Sequence, residues 1–86
     1  MTVYIPTALR SYTAQQDRVQ AEGATLAEVL SDLDRRHPGL RFRIITEQDT
    51  IRAHIRIFVN DAQTQTLNTT LRADDEVHIV CALSGG

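Results

Sequence analysis

Apolar and polar residues alternate near both ends of the chain and recur at helical spacing between them. Residues 2–9 set Val3, Ile5 and Leu9 against Thr2, Tyr4 and Pro6, which predicts a strand. Pro6 has no N–H for a ladder and so predicts an edge or bulge position. After a polar turn over residues 11–17, Arg18-Val19-Gln20-Ala21 reads as the returning strand of a hairpin, closed by Gly23.

Thr25-Leu26-Ala27-Glu28 is a capping box, in which the threonine hydroxyl accepts from the N–H three residues on and the glutamate reaches back. A helix is predicted to start there. Leu26, Val29, Leu30 and Leu33 fall at i, i+3, i+4 and i+7, one apolar stripe, with Glu28, Asp32, Asp34 and Arg35 facing away. Arg36 and His37 suit the negative end of the helix dipole, and Pro38-Gly39 stops the helix. The leucine stripe is core, not a site.

Residues 40–45 fit a helical turn or a strand equally well, and residues 46–53 are polar enough for a loop. His54-Ile55-Arg56-Ile57-Phe58-Val59 then alternates, which sends Ile55, Ile57 and Val59 to the core and Arg56 and Phe58 outward. Asn60-Asp61 supplies a turn, a short polar strand follows at residues 62–65, and Leu67 and Leu71 anchor the connection into Ala73-Asp74-Asp75. The last strand points Val77, Ile79 and Cys81 inward and His78 and Val80 outward. One helix on one face of a mixed sheet is an α+β architecture, with the first and last strands free to pair in parallel at its centre. Residues 1–82 form the domain in this reading, and residues 83–86 form a flexible tail.

Eighty-six residues hold one modest core and leave little room for a buried active site. No apolar run approaches bilayer length, the first residues carry no signal-like stretch, and a lone cysteine cannot close an internal disulfide, so a cytoplasmic protein is expected. Net charge is −2, yet residues 35–56 hold Arg35, Arg36, Arg41, Arg43, Arg52 and Arg56 against only Glu47 and Asp49. A solvated helix end and loop explains that cluster better than a dedicated partner site. Phe42 is its sole interleaved aromatic, which argues against nucleic acid. All nine basic residues are arginine, so an activated acyl group on this chain meets no side-chain amine of its own.

Cys81 lacks a histidine and asparagine in catalytic context and reads as a small core hydrophobe. His37, His54 and His78 are too dispersed for a metal box, and no carboxylate pair stands out as acid and base. Asn68-Thr69-Thr70 reads as a turn despite matching a glycosylation acceptor. The chemistry is instead expected at Leu83-Ser84-Gly85-Gly86, where two residues without a Cβ let a carboxylate enter a narrow cleft.

The element order, the helix start ahead of Leu26-Ala27-Glu28-Val29-Leu30, the Phe58-Val59-Asn60-Asp61 strand end, the Leu71-Arg72-Ala73-Asp74-Asp75-Glu76-Val77 approach and the terminal Gly85-Gly86 together resemble the ubiquitin-like β-grasp sulfur-carrier proteins. That group contains the small subunit of molybdopterin synthase and the thiamine-pathway carrier. The resemblance covers nearly the whole chain and implies a four- to five-stranded mixed sheet packed on one main helix. Ile5-Pro6-Thr7-Ala8-Leu9-Arg10 looks closest to the branch that delivers sulfide for cysteine synthesis, with siderophore-pathway carriers nearby.

The resemblance implies a protein that is acted upon and is not itself an enzyme. A partner of the ubiquitin-activating type adenylates the Gly86 carboxylate with ATP, a sulfur donor converts it to a thiocarboxylate, and a sulfur-accepting biosynthetic enzyme takes the sulfur. A protease that exposes the tail is a further candidate partner. No bound cofactor, metal, membrane or nucleic acid is implied. Leu83, Ser84 and Gly85 would line the partner's channel, while Phe58, Val80, His78 and Arg56 form the docking face. The same tail would serve a lysine-conjugated protein modifier or a molybdopterin synthase small subunit, and a passive binding module would keep its function without Gly85-Gly86.

Overall fold

The computed structural model describes residues 1–82. Five strands form one sheet: β1 (Thr2–Tyr4), β2 (Arg18–Gln20), β3 (Ile55–Val59), β4 (Ala62–Thr64) and β5 (Glu76–Cys81), in the spatial order β2-β1-β5-β3-β4. The central β1–β5 pair is parallel, aligning Val3 with Val77 and Tyr4 with His78, and the other three pairs are antiparallel. Two helices, α1 (Leu26–Arg36) and α2 (Leu40–Ile44), lie between β2 and β3 in the chain. The five-stranded mixed sheet with its main helix is a ubiquitin-like β-grasp.

The core follows the alternation. Val3, Ile55, Ile57, Val77 and Ile79 from the sheet are buried with Leu26, Val29, Leu30 and Leu33 from α1. Leu40, Ile44 and Ile45 extend the same core; residues 40–44 form a short helix that buries Leu40 and Ile44, while Ile45 is extended and bridges to Ile51. The Asp34 carboxylate accepts from the N–H groups of Gly39 and Arg41, satisfying donors that a helix start leaves open.

The start of α1 is tied down from two directions. The Thr25 hydroxyl accepts from the Glu28 N–H at 3.3 Å, while the Glu28 carboxylate reaches the Ala24 N–H at 2.9 Å, one residue earlier than the reciprocal capping box predicts. The Leu26 and Ala27 N–H groups donate to the carbonyls of Thr69 and Leu67, and Leu71 N–H donates to Ala24. Residues 67–71 therefore form a strap across the helix start, with Leu71 buried beneath it.

The N-terminal strand is shorter than predicted. It ends at Tyr4, and a 3₁₀ helix (Thr7–Thr13) replaces both the continued strand and much of the expected polar turn. Pro6 is neither an edge nor a bulge residue: β2 covers the edge, and Pro6, at φ −68°, leads directly into the 3₁₀ helix. Its missing N–H ends the ladder, and its fixed φ starts the turn. Leu9 is buried as expected, but from the 3₁₀ helix. Thr13 is a buried polar residue, its hydroxyl shared between the carbonyls of Arg10 and Gln16. The proposed tail, residues 83–86, lies outside the described residues. Among the described residues, no helix is long and apolar enough to cross a membrane.

Candidate functional site

β5 lies at the centre of the sheet and leads towards the C-terminus. Its last residue, Cys81, pairs with Ile55, and the next N–H, that of Ala82, donates to the His54 carbonyl at 2.7 Å. The fold is thus held up to Ala82, four residues before Gly86. Leu83, Ser84, Gly85 and Gly86 lie outside the described residues.

The register of the four strand pairs lines up Arg18, Tyr4, His78, Phe58 and Gln63 in one row across the sheet, on the face opposite the helices. Tyr4 and His78 stack with ring centroids 4.3 Å apart, and the Arg18 guanidinium lies 5.8 Å from the Tyr4 centroid. Glu76 receives the Tyr4 hydroxyl and faces His78 Nε2, each at 3.4 Å. Arg56 and Val80 form the next pair towards the tail. Val80 is 42% exposed and Phe58 is half-buried. Arg56 is exposed, and its guanidinium donates to the carbonyls of Ala53 and Ile55. The four sheet residues predicted for docking, Phe58, Val80, His78 and Arg56, therefore share one face.

Two concavities flank the end of β5. One, of about 640 Å³, runs from Tyr4 and His78 past Pro6, Ala8 and Arg10 to Val80 and Cys81. The other, of about 470 Å³, is bounded by Tyr12, Phe42, Arg43, Arg52 and His54 and also reaches Cys81 and Ala82. Cys81 packs against the core but is only half-buried, and that burial pushes its thiol pKa up, away from the reactive thiolate. Among the described residues, no group of three or more His, Cys, Asp or Glu side chains is placed to hold a metal ion.

Sequence reasoning missed two contributors. Tyr4 joins the sheet face through its stack with His78, and the signal was its outward parity between Val3 and Ile5 combined with the parallel central pair. Phe42, Arg43 and Arg52 form one wall of the second concavity. The sequence pattern alone presents the arginine cluster as solvated. Arg35 and Arg36 do pair with Asp32, and Arg41 with Asp49, while Arg43 and Arg52 instead lie against aromatic rings.

The chain is similar over its whole length to proteins of known name. It is 36% identical over 91 residues to sulfur carrier protein CysO of Mycobacterium tuberculosis, covering 100% of this chain and 98% of the relative. The crystal structure of the Amycolatopsis orientalis BexX/CysO complex contains a chain that superposes with a TM-score of 0.91 at 34% identity, covering 99% of this chain and 98% of that one. SAMP1 from Haloferax volcanii superposes with a TM-score of 0.79 at 26% identity, covering 100% of this chain and 98% of that one. Residues 3–86 match the ThiS family. The chain belongs to the ThiS family.

Proposed function

We propose that this protein is a sulfur carrier of the cysteine-synthesis branch whose working group is the Gly86 carboxylate. The observation that carries the reading is the continuity of the central strand: β5 is flanked by β1 over Glu76–His78 and by β3 up to Cys81, with the Ala82 N–H on the His54 carbonyl, and the sequence runs on directly as Leu83-Ser84-Gly85-Gly86. The full-length likeness to sulfur carrier protein CysO supports the same branch.

A carboxylate is a poor electrophile, so an adenylating partner must activate it. A carboxylate oxygen attacks the α-phosphorus of ATP and pyrophosphate leaves. Hydrosulfide then adds to the acyl carbon, the bond to the AMP oxygen breaks, AMP departs and a thiocarboxylate remains. Its sulfur is a soft nucleophile that a biosynthetic enzyme can pass to an electrophilic carbon. The carrier contributes a Cβ-free end and a docking face of Phe58, Val80, His78 and Arg56, while the partners supply the catalysis. ATP is the partner's substrate in this scheme and not a resident cofactor of the carrier.

The test is an intact mass spectrum of protein purified from its native host without reductant. A gain equal to one oxygen replaced by sulfur, mapped to the C-terminal peptide and absent from a Gly86-deleted chain, is the expected result. Free carboxylate alone, even after addition of ATP, sulfide and the adenylating enzyme, would sink the proposal. The likeness to SAMP1 favours the modifier as second reading, in which the acyl group passes to a lysine of another protein. A conjugate of that kind would appear as an isopeptide mass on a target protein.

A further inference from the structure

The arginines of this fold divide into two groups. Arg18, Arg35, Arg36 and Arg41 each meet a carboxylate: Asp17, Asp32, Asp32 and Asp49 respectively. Arg10, Arg43, Arg52, Arg56 and Arg72 form no ion pair among the described residues, and all of these but Arg72 lie around the end of β5. Arg10 lines the first concavity beside Val80, Arg43 and Arg52 line the second beside Ala82, and Arg56 pairs in register with Val80.

Arg43 and Arg52 are held in place by neutral groups. Arg43 Nε–H donates to the Tyr12 hydroxyl at 2.6 Å, with its guanidinium 5.7 Å from that ring's centroid. Arg52 Nε–H donates to the Phe42 carbonyl at 2.7 Å, with its guanidinium 4.6 Å from the Phe42 centroid. These bonds fix the side chains and leave the charge uncompensated, so a carboxylate that arrives meets preorganised donors. Phe42 is 56% exposed, and among the described residues no carboxylate lines the concavity that it shares with Arg43, Arg52 and His54. An exposed aromatic next to oriented arginines has the composition of an interface anchor.

We propose that the concavity bounded by Phe42, Arg43, Arg52 and His54 is a second docking surface, filled by a carboxylate-bearing rim of the adenylating enzyme. The proposal rests on the reading that Gly86 is adenylated. Four residues beyond Ala82 can span at most about 14 Å. An enzyme that encloses the Gly86 carboxyl therefore brings its surface within that distance of Ala82, where this concavity ends. The sheet face and this basic concavity then grip the partner from opposite sides of the tail root.

The test is equilibrium binding of the full chain to the adenylating enzyme without ATP. Arg43→Glu/Arg52→Glu should weaken binding about tenfold or more, and the neutral pair Arg43→Gln/Arg52→Gln should weaken it less and flatten its salt dependence. Arg72→Glu, which makes the same kind of charge change away from the tail root, should shift affinity less than about twofold. Thermal unfolding of each variant separates lost docking from lost folding, and the neutral pair carries the test if the glutamate pair fails to fold. Wild-type affinity in a folded glutamate pair, an equal loss for Arg72→Glu, or no binding by the wild type would overturn the proposal. Pyrophosphate release, which Gly86 deletion must abolish, judges adenylation separately. Release together with normal binding by the glutamate pair removes the second surface and keeps the adenylation reading; absence of release from the wild type removes the adenylation reading and the proposal that rests on it.

Discussion

Tyr4 and His78 stack with their planes 3° from parallel across the parallel β1–β5 pair, where the first and last strands lie side by side at the centre of the sheet. The stack turns an exposed sheet face into a rigid platform, because each ring limits the rotamers of the other. Tyr4→Leu keeps the position apolar but removes the ring contact and the hydrogen bond to Glu76. Stability should fall by about 1 kcal/mol, read as a lower urea midpoint with an unchanged slope.

Val80 is the exposed apolar residue on this face nearest the tail root, paired with Arg56 and not with another apolar side chain. Val80→Glu should cost less than about 1 kcal/mol of stability, since the position is open to water. Affinity for the adenylating enzyme should nevertheless drop by about tenfold or more. Calorimetric unfolding and a binding titration on the same sample check both halves. Unchanged affinity would remove the sheet face from the interface.

Gly23 sits against the start of α1. A Cβ built there would lie 2.6 Å from the Val29 nitrogen and 2.8 Å from the Glu28 Cβ, and the first of these is helix backbone that cannot step aside. Gly→Ala in an open place stabilises slightly by restricting the unfolded chain. Here the sign should reverse, with a loss of about 1–3 kcal/mol from overpacking. A lower midpoint of denaturant unfolding for Gly23→Ala is the expected outcome.

Asp32 gathers three donors: the Glu22 N–H, Arg35 and Arg36. The backbone hydrogen bond from Glu22, followed by those from Arg35 and Arg36, lowers its pKa from 3.8 to about 2. A carboxylate whose folded value is depressed adds stability that is fully present above the unfolded value and is lost as pH falls through the folded one. Stability should therefore decline on acidification between those two values, and Asp32→Asn should flatten that part of the profile. Asp75, lowered chiefly by the Arg72 N–H and then by Asn60, contributes with the same sign and leaves a residual slope. Thermal unfolding across an acid pH series checks the difference.

The parts of the fold legible in the sequence are those fixed by local pattern. The α1 stripe of Leu26, Val29, Leu30 and Leu33 and the alternation of Ile55, Ile57, Val77 and Ile79 all point where expected, because one face of each element packs on the core, with Val59 and Cys81 partly buried at its margin. The alternation predicts too long an N-terminal strand because Leu9 takes its inward position by a different route. Its burial through a 3₁₀ turn mimics strand parity, and Pro6 was the stop signal. α2 spans five residues, too few for helical periodicity to outweigh a strand pattern. The sheet-face residues followed from parity alone. The division of the arginines did not, because it depends on contacts far apart in sequence: Tyr12 with Arg43, or Phe42 with Arg52. Charge counted along the chain cannot distinguish an arginine neutralised by Asp32 from one left facing the tail root.

The central place of β5 also has a mechanical meaning. A strand at a sheet edge can be peeled away one hydrogen bond at a time, whereas β5 is laced to β1 on one side and to β3 on the other. A pull directed along the chain beyond Ala82 loads both ladders in shear, so their bonds share the force and must yield together. On the proposed reading, an enzyme that draws on the end of this chain would therefore leave the domain behind it folded for the next cycle.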